Sequence, residues 1–317
     1  MRRIKLVVAY DGTRYCGFQF QKNGPTIEAE LNRTLLELTG EEIHVMGASR
    51  TDAGVHALGN IAVFNTQSRI PVEKFSYALN SRLPKDIVVQ SSEEVPASYH
   101  PRKCNSLKTY EYRILNRQFP DPSRRLNCCF CHWSLDTEQM QKAAACLVGE
   151  HDFASFCSAG SQAEDTVRRL YEVSVRREGE LVTIRLVGNG FLYNMVRIIA
   201  GTLMSIGQGT FPAEHMKEIL NARDRRAAGV KAPANGLTLI SITPAGEPKE
   251  YERYTNDWID YCVDRSALWT KGQVTMIIHR CLEEERERMI AHVRKQAFWD
   301  GAKEFLVKTA EIQEKMD

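Results

Sequence analysis

Hydrophobic and polar residues recur along this chain at two periods, and segments of the two kinds follow one another irregularly. Compact apolar runs and alternating positions predict six strands, which cover residues 4–9, 61–64, 109–115, 170–175, 181–187 and 236–242. Apolar residues at helical spacing predict five helices, which cover residues 27–38, 72–83, 136–148, 191–206 and 212–221. Thr26 and Gly40 are residue types that begin and end a helix, and residues 177–180 form a hairpin signal.

The order of these segments lacks the regular strand–helix alternation of a doubly wound sheet. Because hairpins are present, the pattern predicts an α+β fold with a mixed, largely antiparallel sheet and helices packed on one face. Each half of the body contains a strand, a polar loop and then an amphipathic helix. We therefore expect two pseudo-symmetric halves, residues 1–105 and 106–243.

Residues 244–317 form a third predicted part. The segment 244–251 has the composition of a linker. Beyond it, apolar residues recur at helical spacing at Val274, Ile277, Ile278, Cys281 and Leu282. The pattern predicts a helical C-terminal extension whose aromatic residues need a packing surface, either its own helices, the main body or a partner.

Composition and charge narrow the class of protein. The apolar share of 43% and the charged share of 26% are those of a soluble globular protein. The whole chain carries a net charge of +2, with Lys and Arg in excess before residue 245 and Asp and Glu in excess after it. A mildly basic body permits a polyanionic partner without requiring one. Since no signal core and no run of about 18 apolar residues is present, we expect a cytoplasmic protein with no membrane partner.

Nine cysteines are scattered along the chain, an odd number that indicates reduced thiols rather than a disulfide framework. The cluster Cys128-Cys129-Phe130-Cys131-His132 suggests two interpretations. A zinc site normally has two ligand pairs separated by a loop, and the second pair is absent here. The alternation around Phe130 and Trp133 favours buried thiols in a strand, so we predict no metal.

Residues 48–57, Ala-Ser-Arg-Thr-Asp-Ala-Gly-Val-His-Ala, show neither apolar period. Gly54 suggests a backbone bend, and Arg50 can favour the ionised form of Asp52. A bend that carries a positioned carboxylate is typical of a catalytic loop. The alternative is a surface turn with an incidental Arg–Asp pair.

Common catalytic patterns are missing from the sequence. No dinucleotide-binding glycine pattern, Walker-type phosphate loop or nucleophile elbow is present. What remains is an acidic group, aromatic residues on one strand and several basic clusters, at Arg102-Lys103, Arg124-Arg125, Arg168-Arg169 and 223–226. Aromatic faces suit an extruded base, and arginines suit a phosphate backbone. Each basic pair taken alone is also compatible with ordinary surface charge.

The motif Arg50-Thr51-Asp52-Ala53-Gly54-Val55-His56-Ala57 resembles the active-site motif of the TruA-type tRNA pseudouridine synthases. Further segments resemble the pattern of that family in the same order along the chain: Tyr10-Asp11-Gly12-Thr13, Thr26-Ile27-Glu28, Lys108-Thr109-Tyr110-Glu111-Tyr112, Gly149-Glu150-His151-Asp152-Phe153, Gly190-Phe191-Leu192, Met195-Val196-Arg197 and Ala232-Pro233-Ala234 followed by Gly236-Leu237. The resemblance spans residues 4–242. The segment after it has no counterpart in the family pattern.

The resemblance implies isomerisation of uridine to pseudouridine in the anticodon stem-loop of tRNA, at nucleotides 38 to 40. It implies Asp52 as the essential carboxylate, attacking either the sugar or the uracil ring. Tyr110 would stack on the base, with a further role in proton transfer, Arg50 would hold the base outside the stem, and Leu237 would contact the uracil.

Arg197 is a charge within an apolar helix, so it needs a partner, and Asp52 is the expected one. The family also implies a homodimer that binds tRNA and needs no cofactor or metal. Two other classes remain open: a catalytically silent tRNA-binding or chaperone protein on the same scaffold, and a hydrolase, which would need an activated water or a metal.

Overall fold

The computed structural model describes residues 1–161, 163 and 165–244, and these residues include ten strands and five α-helices. The strands are β1 Arg2–Tyr10, β2 Met46–Gly47, β3 His56–Thr66, β4 Ile87–Glu94, β5 Ser106–Asn116, β6 Cys129–Cys131, β7 Gly149–Asp152, β8 Val167–Glu178, β9 Leu181–Gly188 and β10 Leu237–Pro244. The helices are α1 Ile27–Thr39, α2 Phe75–Asn80, α3 Thr137–Ala145, α4 Met195–Gly207 and α5 His215–Ala222.

The described strands form a single sheet in the order β4-β1-β3-β10-β5-β9-β8-β7, with β2 beside β3 and β6 beside β5. Strand β10 runs parallel to β3, and β6 runs parallel to β5; the other pairs are antiparallel. The sheet is therefore mixed and largely antiparallel, and the predicted α+β fold class is confirmed.

The alternation in β1 shows how the sheet buries one face. Ile4, Leu6, Val8 and Tyr10 are buried, whereas the residues between them are only partly so. An apolar residue at every second position places these side chains together on one face of the strand.

The first helix begins and ends where the sequence predicts. The Thr26 hydroxyl accepts a hydrogen bond of 3.2 Å from the Ala29 amide, which satisfies a donor of the first turn. Gly40 ends the helix at a φ of 72°, a left-handed conformation that glycine adopts without strain.

Two predicted helices begin later than expected. The segment predicted as residues 72–83 starts with the 3₁₀ turn Val72–Lys74 and becomes α-helical only over α2. The helix predicted from residue 191 begins at Met195, because Asn194 has a φ of 60° and interrupts helical geometry. Strands β4 and β7 were not predicted, since polar residues dominate both and weaken the apolar signal.

The last described strand, β10, lies in the middle of the sheet between β3 and β5. Residues from both predicted halves therefore share one sheet, and the boundary between residues 105 and 106 stays a prediction. Pro244 is part of β10 and is opposite Ser106, so the predicted linker begins after it. The predicted helical extension lies outside the described residues.

The cysteine cluster confirms the strand interpretation. Cys129 and Cys131 belong to β6, and they and Cys128 are buried free thiols. Within residues 1–161, 163 and 165–244, no group of three or more His, Cys, Asp or Glu residues is arranged to hold a metal ion. In the same residues, no helix has the length and apolarity that a membrane span requires.

Candidate active site

The loop that carries Asp52 connects β2 to β3 and is fixed by backbone contacts with the segment after β1. The Phe18 amide donates to the Thr51 carbonyl at 3.1 Å, and the Gly54 amide donates to the Tyr15 carbonyl at 3.2 Å. Gly54 has a φ of 77°, which is the predicted bend. A Cβ on Gly17 would lie 2.5 Å from the Thr51 carbonyl oxygen, so only glycine permits this approach.

The other end of the loop is held by its histidine. His56 is buried at the start of β3, and its Nδ1 lies 3.2 Å from the Gly12 amide and 3.1 Å from an Asp11 carboxylate oxygen. A Cβ on Gly12 would lie 2.0 Å from the Val55 carbonyl oxygen. The two segments are therefore packed backbone to backbone, which fixes Asp52 between two anchored ends.

Asp52 forms an ion pair with Arg197, as the sequence predicts. An Arg197 Nη1 lies 3.4 Å from an Asp52 carboxylate oxygen. Arg197 belongs to the first turn of α4, where the same Nη1 donates to the Asn194 side-chain oxygen at 3.0 Å and Nε donates to the Ala232 carbonyl at 2.9 Å. The guanidinium is thus held by two further acceptors, and its position does not depend on the carboxylate alone.

Burial raises the pKa of the Asp52 carboxyl above its ordinary value, although Arg197 and then Lys231 act in the opposite direction. A carboxylate with little water around it is a stronger base and nucleophile than a hydrated one. Arg197 and Lys231 are thus cations that favour the ionised form of Asp52. Arg50 is exposed at the cleft wall, and its suggested influence on Asp52 stays a prediction.

Tyr110 lies on β5, far from the Asp52 loop in sequence, but it lines the same cleft. Its hydroxyl is 2.8 Å from the Ser49 hydroxyl, and its ring meets the Phe191 ring edge to face at 5.1 Å between centroids. Burial raises the pKa of Tyr110 to about 12, with the nearby Asp52 contributing in the same direction. The phenol is therefore protonated at neutral pH.

These residues line a cleft of about 1010 Å³. Leu237, the first residue of β10, is buried and contributes an apolar wall. The cations Arg50, Arg102 and Lys108 also line the cleft. Partly buried Lys108 donates to the Ala48 carbonyl at 3.2 Å, and desolvation lowers its pKa. An apolar wall next to an acid and several cations suits a ligand that has both a flat base and phosphates.

The sequence therefore identified Asp52, Tyr110, Arg50 and Leu237, which the fold brings to one cleft, and Arg197, which lies behind Asp52. It did not single out Ser49, Phe191, Asn194 or Lys231. Ser49 is inside the recognised loop, and Asn194 precedes the predicted charge in the helix, but neither has a chemical signal of its own. The contact of Ser49 with Tyr110 and that of Asn194 with Arg197 assign them to the site.

Comparison with known proteins identifies relatives over most of the chain. The family model described as "tRNA pseudouridine synthase" matches residues 6–102 and 143–243. The chain is 48% identical over 242 residues to the tRNA pseudouridine synthase A of Acetivibrio thermocellus and 48% identical to that of Brevibacillus brevis, covering 76% of this chain and 99% of each relative. It is 46% identical, with the same coverage, to the tRNA pseudouridine synthase A of Thermoanaerobacter sp. strain X514. The chain belongs to the tRNA pseudouridine synthase family.

Proposed function

We propose that this protein isomerises uridine to pseudouridine in tRNA, with Asp52 as the essential carboxylate. The observation that carries the proposal is the Asp52–Arg197 ion pair at 3.4 Å, in a cleft shared with Tyr110. In the reaction, the bond between N1 of uracil and C1′ of ribose breaks, and a bond between C5 and C1′ forms. The C5 hydrogen is released to solvent while N1 gains a proton, so atoms balance without a redox step.

Each residue has a role that its surroundings support. Asp52 acts on the flipped uridine, either at the sugar carbon or at the ring, and Arg197 favours its ionised form. The edge-to-face packing on Phe191 leaves Tyr110 oriented to stack on the base. Because its phenol is protonated at neutral pH, Tyr110 takes part in any proton transfer from its neutral form. Arg50 helps to hold the base outside the stem, and Leu237 contacts the uracil as an apolar wall.

A catalytically silent tRNA-binding protein would need the cations of the cleft but would not need a desolvated acid. Burying Asp52 costs free energy, and a binding protein gains nothing from that cost. The paired acid therefore favours the enzyme. By family resemblance we propose nucleotides 38 to 40 of the anticodon stem-loop as the targets, a homodimer as the active form and the cytoplasm as the location.

The test is tritium release from tRNA carrying uridine labelled at C5, followed by mapping of pseudouridine. We expect the wild-type protein to release tritium and Asp52→Ala to release none. The variant should bind tRNA within about tenfold of wild type, since phosphate contacts supply most of the affinity. Normal turnover by Asp52→Ala would contradict the proposed mechanism. Light scattering of the protein with and without tRNA tests the homodimer.

A further inference from the structure

A network of buried polar side chains lies behind the cleft, where an apolar core is expected. Its centre is Asn60, a fully buried residue in the middle of β3 that does not line the cleft. The Asn60 Oδ1 accepts from the Ser49 amide at 3.3 Å, while its Nδ2 donates to the Ser49 carbonyl at 3.0 Å and to the Tyr10 hydroxyl at 3.0 Å. The Tyr10 hydroxyl is in turn 2.7 Å from the Thr51 hydroxyl.

The direction of these hydrogen bonds follows from their donors. Because an amide N–H can only donate, the Asn60 atom that faces the Ser49 amide is the oxygen. The Asn60 nitrogen then uses its two hydrogens on the Ser49 carbonyl and the Tyr10 hydroxyl. Tyr10 accepts from Asn60, and the hydrogen bond between the Tyr10 and Thr51 hydroxyls can run in either direction. The three hydrogen bonds of Asn60 thus have fixed directions, which leaves one orientation of its amide.

The two ends of this network are the immediate neighbours of the proposed chemistry. Ser49 holds the hydroxyl of Tyr110 at 2.8 Å, and Thr51 is adjacent in sequence to Asp52. Both ends are fixed through the same amide of Asn60. A displacement of Asn60 would therefore shift the acid and the phenol relative to each other.

Burial of an amide and two hydroxyls in a sheet requires that each be hydrogen-bonded, since an unpaired buried polar group destabilises the fold. An apolar residue at position 60 would need no partner of its own, but it would remove the hydrogen bonds that hold Ser49 and, through Tyr10, Thr51. The cost of a polar group here is offset only if it fixes the loop in one position.

We propose that Asn60 is a positioning residue for the isomerisation and sets the geometry of Asp52 relative to Tyr110. The proposal rests on the proposed function and deepens it. It differs from a purely structural role because it requires the rate of the chemical step, rather than tRNA binding, to depend on Asn60.

The test variant is Asn60→Ser in the full-length chain, and the chain offers a matched control. Asn80 makes the same pair of bonds to one backbone residue, donating to the Val89 carbonyl at 2.9 Å and accepting from the Val89 amide at 2.8 Å. Asn80 is the last residue of α2; it is more exposed than Asn60 and does not line the cleft. Asn80→Ser removes the same kind of contact from the same sheet and leaves the site untouched.

We expect Asn60→Ser to lower kcat by about 10- to 100-fold, because a misplacement of about 1 Å of reacting groups has an effect of this size. The KM and the Kd for tRNA should stay within about threefold, a change of less than 1 kcal/mol. Asn80→Ser should keep its kcat even where it lowers the melting temperature, because its contacts lie outside the cleft. Tyr10→Phe removes a single oxygen of the network and should also lower kcat; it decides the case where Asn60→Ser does not fold.

Two results would overturn this inference and leave the proposed function standing. They are a wild-type kcat in folded Asn60→Ser, and equal losses of kcat in Asn60→Ser and Asn80→Ser. In the case where Asn60→Ser does not fold, a wild-type kcat in Tyr10→Phe has the same consequence. A wild-type protein that releases no tritium from any tRNA would instead overturn the proposed function, and this inference with it. The two failures are therefore distinguished by the wild-type measurement.

Discussion

Arg197 offers the sharpest test of how the site controls Asp52, because its charge and its geometry can be removed separately. Arg197→Gln removes the charge and keeps a side chain that can reach the Ala232 carbonyl. Arg197→Lys keeps the charge but loses the planar fork that bonds three acceptors at once. The two variants should therefore fail in different ways.

The magnitude follows from the geometry of the pair. Two unit charges 3.4 Å apart interact with about 5 kcal/mol at an effective dielectric constant of about 20. The side chains of Arg197 and Asp52 are 12% and 22% exposed, so solvent screens part of this energy. We take about 2 kcal/mol as the coupling that remains, which corresponds to about 30-fold in the equilibrium between the protonated and ionised forms.

The assay is the pH dependence of kcat/KM for tritium release, from about pH 5 to about pH 9. Arg197→Gln should move the acidic limb to higher pH, because the pKa of Asp52, already raised by burial, loses the charge that lowers it most. Arg197→Lys should leave the limb near its wild-type position and lower the plateau.

An unmoved acidic limb in an active Arg197→Gln enzyme would refute the assignment of that limb to Asp52. A limb that moves equally in both variants would show that geometry, and not charge, sets the ionisation of the acid.

Four further predictions follow from the site and the fold. Tyr110→Phe should fold and bind tRNA but turn over far more slowly, whereas Tyr110→Ala should impair both, since base stacking contributes about 1–3 kcal/mol; wild-type turnover by Tyr110→Phe would leave only the stacking role. Gly201→Ala should lower both melting temperature and kcat, because its Cβ would lie 1.8 Å from the Val230 carbonyl oxygen and displace the segment that bonds Arg197. Asp52→Asn should melt no lower than wild type at neutral pH. Because the pKa of Asp52 is raised by folding, the folded protein binds more protons than the unfolded chain, and its free energy of unfolding falls as pH rises from the unfolded to the folded pKa. A clearly lower melting temperature of Asp52→Asn would contradict this reasoning. A chain truncated after Pro244 should be folded and active by circular dichroism and tritium release, since 242 residues of this chain cover 99% of the curated relatives.

Local sequence signals were sufficient to predict features that depend on the properties of one or two residues. Thr26 and Gly40 marked both ends of α1, because capping depends on the side chain or backbone freedom of one residue. Arg197 was predicted to pair with Asp52 for a similar reason: a charge in an apolar helix requires a partner, and the recognised loop offered an acid.

Other features could not be read from local sequence. The start of α4 depends on Asn194, which adopts a left-handed conformation that its residue type permits but does not require. Asparagine is a residue type usually found at the surface, yet Asn60 is fully buried. Only the pairing of β3 with its neighbours shows that burial. The influence of Lys231 on Asp52 similarly depends on the packing of its segment against α4, where Gly201 leaves no room for a side chain.

The position of β10 has a consequence for how the protein is made. Residues 237–244 are the last of the described residues to leave the ribosome, yet they separate β3 from β5 in the finished sheet. Strand β3, which follows the Asp52 loop, and strand β5, which carries Tyr110, can each pair with other neighbours earlier in synthesis, but they cannot reach their final spacing until β10 has been inserted. Closing this long-range contact is slow compared with forming hairpins. A nascent chain that lacks β10 is therefore expected to hold its acid and its phenol apart, and so to be inactive towards RNA until translation of this strand is complete.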